Sequence, residues 1–194
     1  MRDDQPLPAH GMVTRVNGEL VEIEGFLQNI AAINTDGIDV NLTYRGFDVG
    51  GGRLGFTWSN TFLLNYDVLV PGPTGTELLS REGTQVGSPA QAFPEWKSVG
   101  SINFDGPDFG LTLTGRYVSD LTETGGNVLN SVFYTDFQFR FLVGEDDQFG
   151  FALGVNNLFN VATPGCVTCE SNNFSQAVHD VPGRYWYVRA NFRL

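Results

Sequence analysis

The chain has 194 residues, and its 11 basic residues against 22 acidic ones give a formal net charge of −11. A field of this sign repels phosphate backbones, so nucleic acid is excluded as an expected partner. Aromatic residues make up 13% of the chain, which excludes intrinsic disorder, and the single lysine disfavours long surface helices. No apolar run exceeds four residues, whereas a transmembrane helix needs about 20, so a helical membrane span is excluded.

Residues 1–29 mix Pro, Gly and charged residues without a sustained period. We predict a loop-rich segment here, with at most a short hairpin around Asn17 and Gly18. The first residues lack the apolar stretch of a secretory signal peptide, so an exported chain is expected to have lost its N-terminal part.

From Ile30 onward, apolar and polar residues alternate in segments of about ten residues bounded by Gly, Pro, Asp or Asn. This pattern predicts an all-β fold of antiparallel strands that follow one another as a meander. The bulky apolar positions of the second segment are interrupted only at Asn60. Seven strands are predicted, at residues 30–45, 53–65, 95–104, 109–119, 133–143, 149–159 and 184–194.

The connections between these strands alternate in length. The short ones are residues 46–52, 105–108 and 145–148, and the long ones are residues 66–94, 120–132 and 160–183. In an antiparallel meander the two sets lie at opposite ends, which is typical of membrane β-barrels. A soluble β-sandwich would show the same alternation of apolar and polar residues, so it is the alternative.

The polar positions contain Gly, Thr, Asn, Asp and Arg with almost no Lys or Glu, which suits a water-filled lumen better than a free surface. We therefore predict antiparallel transmembrane β-barrel strands that form part of a barrel, with the apolar positions facing lipid. The large residues expected to face lipid are Phe56, Trp58, Leu64, Trp186, Val188 and Phe192.

Three motifs occur in order along the chain: Asn29 to Asp39, Asn156 to Asn160, and Pro182 to Arg184 followed by alternating aromatic residues. Together they resemble strands of the C-terminal barrel region of TonB-dependent outer-membrane receptors, over about residues 12–194. The resemblance implies that residues 30–194 are C-terminal strands of such a barrel and that residues 1–29 are an extracellular loop before them. The chain is then expected to be a fragment of a receptor.

The resemblance implies a location in the outer membrane of a Gram-negative bacterium and active import of a scarce, bulky nutrient such as a siderophore, a cobalamin or an oligosaccharide. Expected partners are membrane lipid, the TonB complex through an N-terminal plug region outside this sequence, and the barrel assembly machinery through the last strand. In that strand Leu194 stands where family members usually have Phe or Trp. The alternatives are a complete small outer-membrane barrel with a structural or adhesive role, and a soluble β-sandwich binding module.

Cys166 and Cys169 lie in the long loop 160–183. A thioredoxin-like context and a second zinc ligand pair are both missing, so a disulfide that braces an exported loop is predicted. His10 and His179 are expected to be solvated, as is the acidic turn 145–147. No catalytic spacing or nucleotide loop stands out, so we predict no enzymatic activity, cofactor or metal site.

A ligand that arrives from outside first meets the long loops, so the binding surface is predicted there and in the adjoining lumen. Aromatic side chains in the loops offer surface to a sugar or a planar chelate, whereas the charged residues at mid-strand either line the path or pair with one another. The predicted ligand-binding residues are Tyr66, Phe93, Tyr134, Phe174, Arg116, Asp136, Arg140 and Arg189.

Overall fold

The computed structural model describes residues 5–7, 11–25, 32–72, 75–86, 91–144, 148–169, 172–179 and 183–192. Within these ranges every regular element is a strand, which confirms the all-β prediction. No helix in the described part of the chain is long and apolar enough to cross a membrane. The strands are β1 (Gln5–Leu7), β2 (Gly11–Val16), β3 (Glu19–Gly25), β4 (Ala32–Val49), β5 (Gly52–Gly72), β6 (Gly75–Ser80), β7 (Thr84–Val86), β8 (Gln91–Phe93), β9 (Trp96–Asp105), β10 (Phe109–Val118), β11 (Leu121–Glu123), β12 (Val128–Leu129), β13 (Val132–Val143), β14 (Phe149–Asn156) and β15 (Tyr185–Phe192).

The chain forms two compact units whose boundaries fall within β4 and β5. One unit comprises Met1–Thr35 and Asn65–Arg81, and the other comprises Asp36–Leu64 and Glu82–Leu194. In the first unit, β1, β2 and β3 form an antiparallel sheet, and the end of β5 forms a hairpin with β6.

The three-stranded sheet of the first unit differs from the loop-rich segment predicted for residues 1–29, of which the structure describes 5–7 and 11–25. The predicted hairpin is present at Asn17 and Gly18, whose φ angles of 53° and 84° suit a tight turn. The register of β2 against β3 shifts between Thr14 and Arg15. Such a bulge interrupts the period-two pattern, which explains why these strands are hard to recognise from sequence.

The main sheet of the second unit has the strand order β15-β14-β13-β10-β9-β5-β4. These are the seven strands that the sequence predicts, joined as a meander. The largest difference is at the end of β5, which continues to Gly72 instead of ending at residue 65, so the start of the predicted long loop 66–94 is strand. At the first hairpin, the predicted turn 46–52 shrinks to Gly50 and Gly51. Their φ angles of 57° and 83° allow a two-residue turn, so β4 continues to Val49 and β5 begins at Gly52.

The register places residues of like polarity side by side across the sheet. One apolar row contains Phe56, Ile102, Leu113 and Phe137. The neighbouring polar row contains Thr57, Ser101, Thr114 and Asp136. We call these two sides the apolar face and the polar face.

The apolar face is open in the described part of the second unit. Trp186, Val188 and Phe192 are 57%, 75% and 58% exposed, and Trp58 and Leu64 are exposed as well. Phe56 is half-buried. A soluble sandwich would bury such residues between two sheets, and the described residues show no such burial.

Aromatic rings cluster at both ends of the apolar face. At the long-loop end, Trp96 lies 5.7 Å from Phe62 and 4.5 Å from Tyr117 between ring centroids. At the short-turn end, the rings of Phe104, Phe109, Phe139, Phe141 and Phe151 follow one another at 5.2–6.2 Å. Phe104 lies eight residues beyond Trp96 on β9, which at about 3.3 Å per residue is a distance of about 26 Å.

Asn60, the exception in the sequence pattern, lies on the apolar face under the aromatic cluster of the long-loop end. It is buried, and its Oδ1 accepts a hydrogen bond of 3.1 Å from Nε1 of Trp96. The alternation is therefore continuous, with a polar side chain that holds an indole ring in place of an apolar one.

Candidate functional site

The long connections of the second unit fold together at one end of the main sheet. Residues 82–86, 91–93, 119–131, 157–169 and 172–179 of these connections are here called the loop cap. Their short strands form a sheet of order β12-β11-β7-β8, in which β11 and β7 run parallel. The amide of Thr122 also donates to the carbonyl of Gly83 at 2.8 Å. The predicted co-location of the long loops is thus seen for these parts of them.

The core of the loop cap is built around a disulfide. Cys166 and Cys169 are joined, with their Cα atoms 5.4 Å apart. Both are buried against Leu121 and Leu129, and Ala92 and Val178 pack onto the same cluster. The disulfide therefore contributes buried surface to the cap in addition to closing a short ring at the loop tip.

Glu123 at the end of β11 is the buried charge of the loop cap, with only 3% of its surface exposed. The amide and the Oγ1 of Thr168 both donate to its Oε1 at 2.6 Å. The amide of Val167 donates to Oε2 at 3.1 Å, and Nδ2 of Asn127 donates to the same oxygen. The carboxylate thus fastens the disulfide ring to β11.

The hydrogen bonds determine the ionisation of this group. Burial alone would raise the pKa of Glu123, but the bonds from Thr168, Asn127 and Val167 outweigh burial and lower the pKa from 4.5 to about 2. Glu123 is therefore a carboxylate at neutral pH.

A second network lies on the polar face next to the loop cap. Nε of Arg116 is 2.8 Å from Oδ2 of Asp136, and the guanidinium stands 5.2 Å from the ring centroid of Tyr134. The buried Tyr134 hydroxyl lies 3.2 Å from Nδ1 of His179. His179 is buried in this contact, so the expectation of a solvated histidine is wrong, because Tyr134 offers its ring nitrogen a partner.

The predicted ligand-binding aromatics lie in different environments. Tyr134 and Phe174 are buried at 5% and 8% exposure, so they support the loop cap instead of offering open surface. Phe93, at the end of β8, is half-buried. Tyr66 belongs to the other unit, where its carbonyl accepts from the amide of Arg81. The role of these four residues in ligand binding stays a prediction.

The four charged residues predicted at mid-strand all lie on the polar face but do not form one cluster. Arg116 and Asp136 pair with each other, as the alternative of mutually paired charges predicts. Arg140 pairs instead with Asp105 on β9. Arg189 is exposed on β15, opposite Ala152.

Two of the segments on which the family resemblance rests meet in the structure. Oδ1 of Asn160 accepts a hydrogen bond of 2.9 Å from the amide of Arg184. The side chain of Asn157 in the same motif accepts a hydrogen bond from the backbone amide of Val161 and donates one to its carbonyl, both at 2.8 Å. The backbone amide of Asn157 donates to the carboxylate of Asp136. Asn157 and Asn160 both have a φ of 53°, which asparagine tolerates better than most residues. The asparagines therefore shape the chain after the end of β14, and Asn160 binds the residue that precedes β15.

Sequence reasoning missed Glu123, Asn127 and Thr168. They stand in segments without periodicity, and their partners are up to 45 positions away, so no local pattern marks them. Some predictions lie outside the described residues, namely His10, the turn 145–147 and Leu194. Among the residues that the structure describes, no group of three or more His, Cys, Asp or Glu side chains is placed to hold a metal ion.

We expect replacement of both cysteines by serine to loosen the loop cap without detaching the main sheet. Closing so short a ring contributes roughly 2 kcal/mol on the chain-entropy model, and the change also introduces two hydroxyls into an apolar core. Amide exchange should quicken at Val167 and Thr168 and stay unchanged at mid-strand in β10. Serine variants that exchange like the parent chain at both sites would contradict the central place of the disulfide.

No family model matches the chain, and neither the curated proteins nor the solved structures contain a match.

Proposed function

We propose that this chain is the C-terminal barrel part of a TonB-dependent outer-membrane transporter that imports a scarce, bulky nutrient. The observation that carries the proposal is the form of the second unit. It has a single-layered sheet with an open apolar face and a polar opposite face, and it has short turns at one end and a folded loop cap at the other. A lumen, a lipid surface and an external binding region would each use one of these features.

The extent of the apolar face favours a lipid environment. Large apolar residues are exposed on all seven strands of the main sheet, among them Ile38, Trp58, Ile102, Leu113, Phe133, Leu153 and Val188. Contiguous apolar patches of more than a few hundred Å² are rare on soluble monomers. The aromatic clusters at the two ends of this face, about 26 Å apart along β9, fit the girdles that flank the apolar band of membrane barrels.

The polar face supports a water-filled lumen. Hydroxyl and amide groups form ladders across its strands, such as Ser101 with Thr114 at 2.9 Å and Thr112 with Asn103 at 3.0 Å. Tyr187 continues this pattern by donating to Gln138 at 3.2 Å. A complete small barrel with an adhesive role would use the same two faces. The coding DNA upstream of Met1 distinguishes that barrel from the transporter.

The DNA upstream of Met1 provides the first test. We expect an open frame that continues upstream and encodes further strands and a plug domain. A stop codon directly upstream of Met1 would overturn the transporter proposal.

Tryptophan fluorescence provides the second test, because Trp58, Trp96 and Trp186 all lie on the apolar face. In liposomes, we expect lipids brominated on their acyl chains to quench the emission strongly. A variant that keeps only Trp58 should be quenched best by bromines deep in the chains. A variant that keeps only Trp96, four residues and about 13 Å nearer the long-loop end, should be quenched best by bromines near the headgroups.

The matched comparison in this experiment is between these two single-tryptophan variants, which differ only in which indole remains. Equal quenching at every bromine depth would argue against an inserted sheet, and no quenching at all would favour the soluble sandwich.

A further inference from the structure

The polar face contains a cavity of about 470 Å³ at its short-turn end, formed by β4, β5 and β9. Oγ1 of Thr61 donates to Oδ1 of Asp39 at 2.7 Å, which places the odd-numbered residues of β4 as far as Arg45 on the polar face together with those of β5. We call this cavity the turn-end pocket. Its lining includes the side chains of Arg45, Arg53, Thr57, Asn103 and Asp105, together with Gly55.

Two guanidinium groups of the turn-end pocket are open to a ligand. Arg45 and Arg53 are both exposed, and no carboxylate in the described part of the chain forms an ion pair with Arg45. The nearest carboxylate to Arg53 is that of Asp48, at 3.8 Å, and both side chains are more than half exposed. So long and solvated a pair holds Arg53 only weakly.

The carboxylate of Asp105 in the pocket is occupied by another arginine. Arg140 reaches across Gly110 from β13 and donates to Oδ1 of Asp105. The charged lining residues and their ion-pair partners together comprise three guanidiniums (Arg45, Arg53 and Arg140) and two carboxylates (Asp48 and Asp105). The turn-end pocket has a positive balance in a chain whose net charge is −11.

Neutral donors complete the lining. Oδ1 of Asn103 accepts from Thr112 at 3.0 Å, so the amide nitrogen of Asn103 is left to donate elsewhere. Thr57 contributes a hydroxyl group. Gly55 has no side chain, so the floor of the pocket is open at this position. A Cβ built there would lie 3.4 Å from the carbonyl oxygen of Tyr44, an ordinary contact, so the backbone would accept a side chain.

We infer that the turn-end pocket binds a small molecule through an oxyanion group, either a carboxylate or a phosphate. Arginine forks match the geometry of both groups, and hydroxyl and amide donors add further hydrogen bonds. A volume of about 470 Å³ is that of a small-molecule site, larger than one bare ion requires. The inference depends only on the polar face of the sheet, so it goes beyond the proposed transport function and does not require it.

The test is calorimetric titration of the full 194-residue chain in neutral detergent at pH 7 and low ionic strength. Citrate is the carboxylate probe and pyrophosphate the phosphate probe. We expect saturable binding of at least one, and the better probe identifies the group. Arg45→Gln and Arg53→Gln should each weaken that binding about tenfold or more, because each removes a charge-assisted donor. Gly55→Thr should weaken binding with both arginines in place, because its side chain fills the floor.

Arg189→Gln is the matched control, since Arg189 is also an exposed arginine of the polar face but does not line the turn-end pocket. It should leave the affinity unchanged. The inference is overturned if neither probe binds, if Arg45→Gln and Arg53→Gln bind like the parent chain, or if Arg189→Gln weakens binding equally. Brominated-lipid quenching in the same variants reports on membrane insertion separately, so a failure of this inference is distinguishable from a failure of the proposed function.

Discussion

Glu123→Gln should speed amide exchange at Val167 and Thr168 about a hundredfold at pH 7. The substitution keeps the size of the side chain but removes its charge, and it places an amide nitrogen where one carboxylate oxygen now accepts hydrogen bonds. Lowering the pKa from 4.5 to about 2 corresponds to roughly 3 kcal/mol of stabilisation at neutral pH. Hydrogen exchange followed by mass spectrometry would measure this change peptide by peptide.

The same carboxylate predicts how the loop cap responds to acid. Because the folded pKa is depressed, the stabilisation is complete above the unfolded value of 4.5 and is lost as the pH falls toward about 2. The difference between the parent chain and Glu123→Gln should therefore shrink over this interval. Asp120→Asn is the control, since Asp120 is an exposed carboxylate in the same connection. A difference between Glu123→Gln and the parent that is constant from pH 7 to pH 2 would contradict this account.

Gly46→Ala should lower the free energy of unfolding of the main sheet by about 3 kcal/mol or more. Gly46 has a φ of 51°, and a Cβ built there would lie 1.8 Å from the carbonyl oxygen of Leu54. The obstacle is backbone, so β4 must separate from β5 to relieve the clash. Urea titration in detergent micelles would measure the loss, and protease cleavage within β4 would locate it.

Gly50→Ala is the matched control for that substitution. Gly50 has a similar φ of 57°, but a Cβ there would meet nothing within 4 Å. It should cost only the left-handed conformation of alanine, about 1–2 kcal/mol. Equal losses of unfolding free energy in the two variants would mean that the close approach of Gly46 to β5 is not the reason why position 46 requires glycine.

The strands of the main sheet could be predicted because each is long enough to repeat the period-two pattern several times. The register then pairs like with like, as in the row from Phe56 to Phe137. The predicted ends were less accurate at Gly50 and Gly51, where a run of glycines suggested a longer turn than the chain makes.

The loop cap could not be predicted in the same way. β7, β8 and β11 have three residues each and β12 has two, too few to show any period. Its stabilising contacts are long-range, since Glu123 is held by Thr168, 45 positions away. The Cys166 and Cys169 pair indicated a disulfide, but nothing in the sequence showed that Leu121 and Leu129 would cover it.

The turn-end pocket shows a different limit. Arg45 and Arg53 belong to neighbouring predicted strands, but strand pairing alone does not say which arginines are already neutralised. That information depends on Arg140 reaching Asp105 across a glycine.

The three connections of the loop cap depend on one another for their structure. The carbonyl of Gly83 in the first accepts from Thr122 in the second, whose Glu123 is in turn bound by the third. Grafting a foreign sequence into any one of them would leave a buried carboxylate or an apolar surface of another without its complement. A loop exchange that keeps the loop cap folded would therefore have to transplant all three connections together.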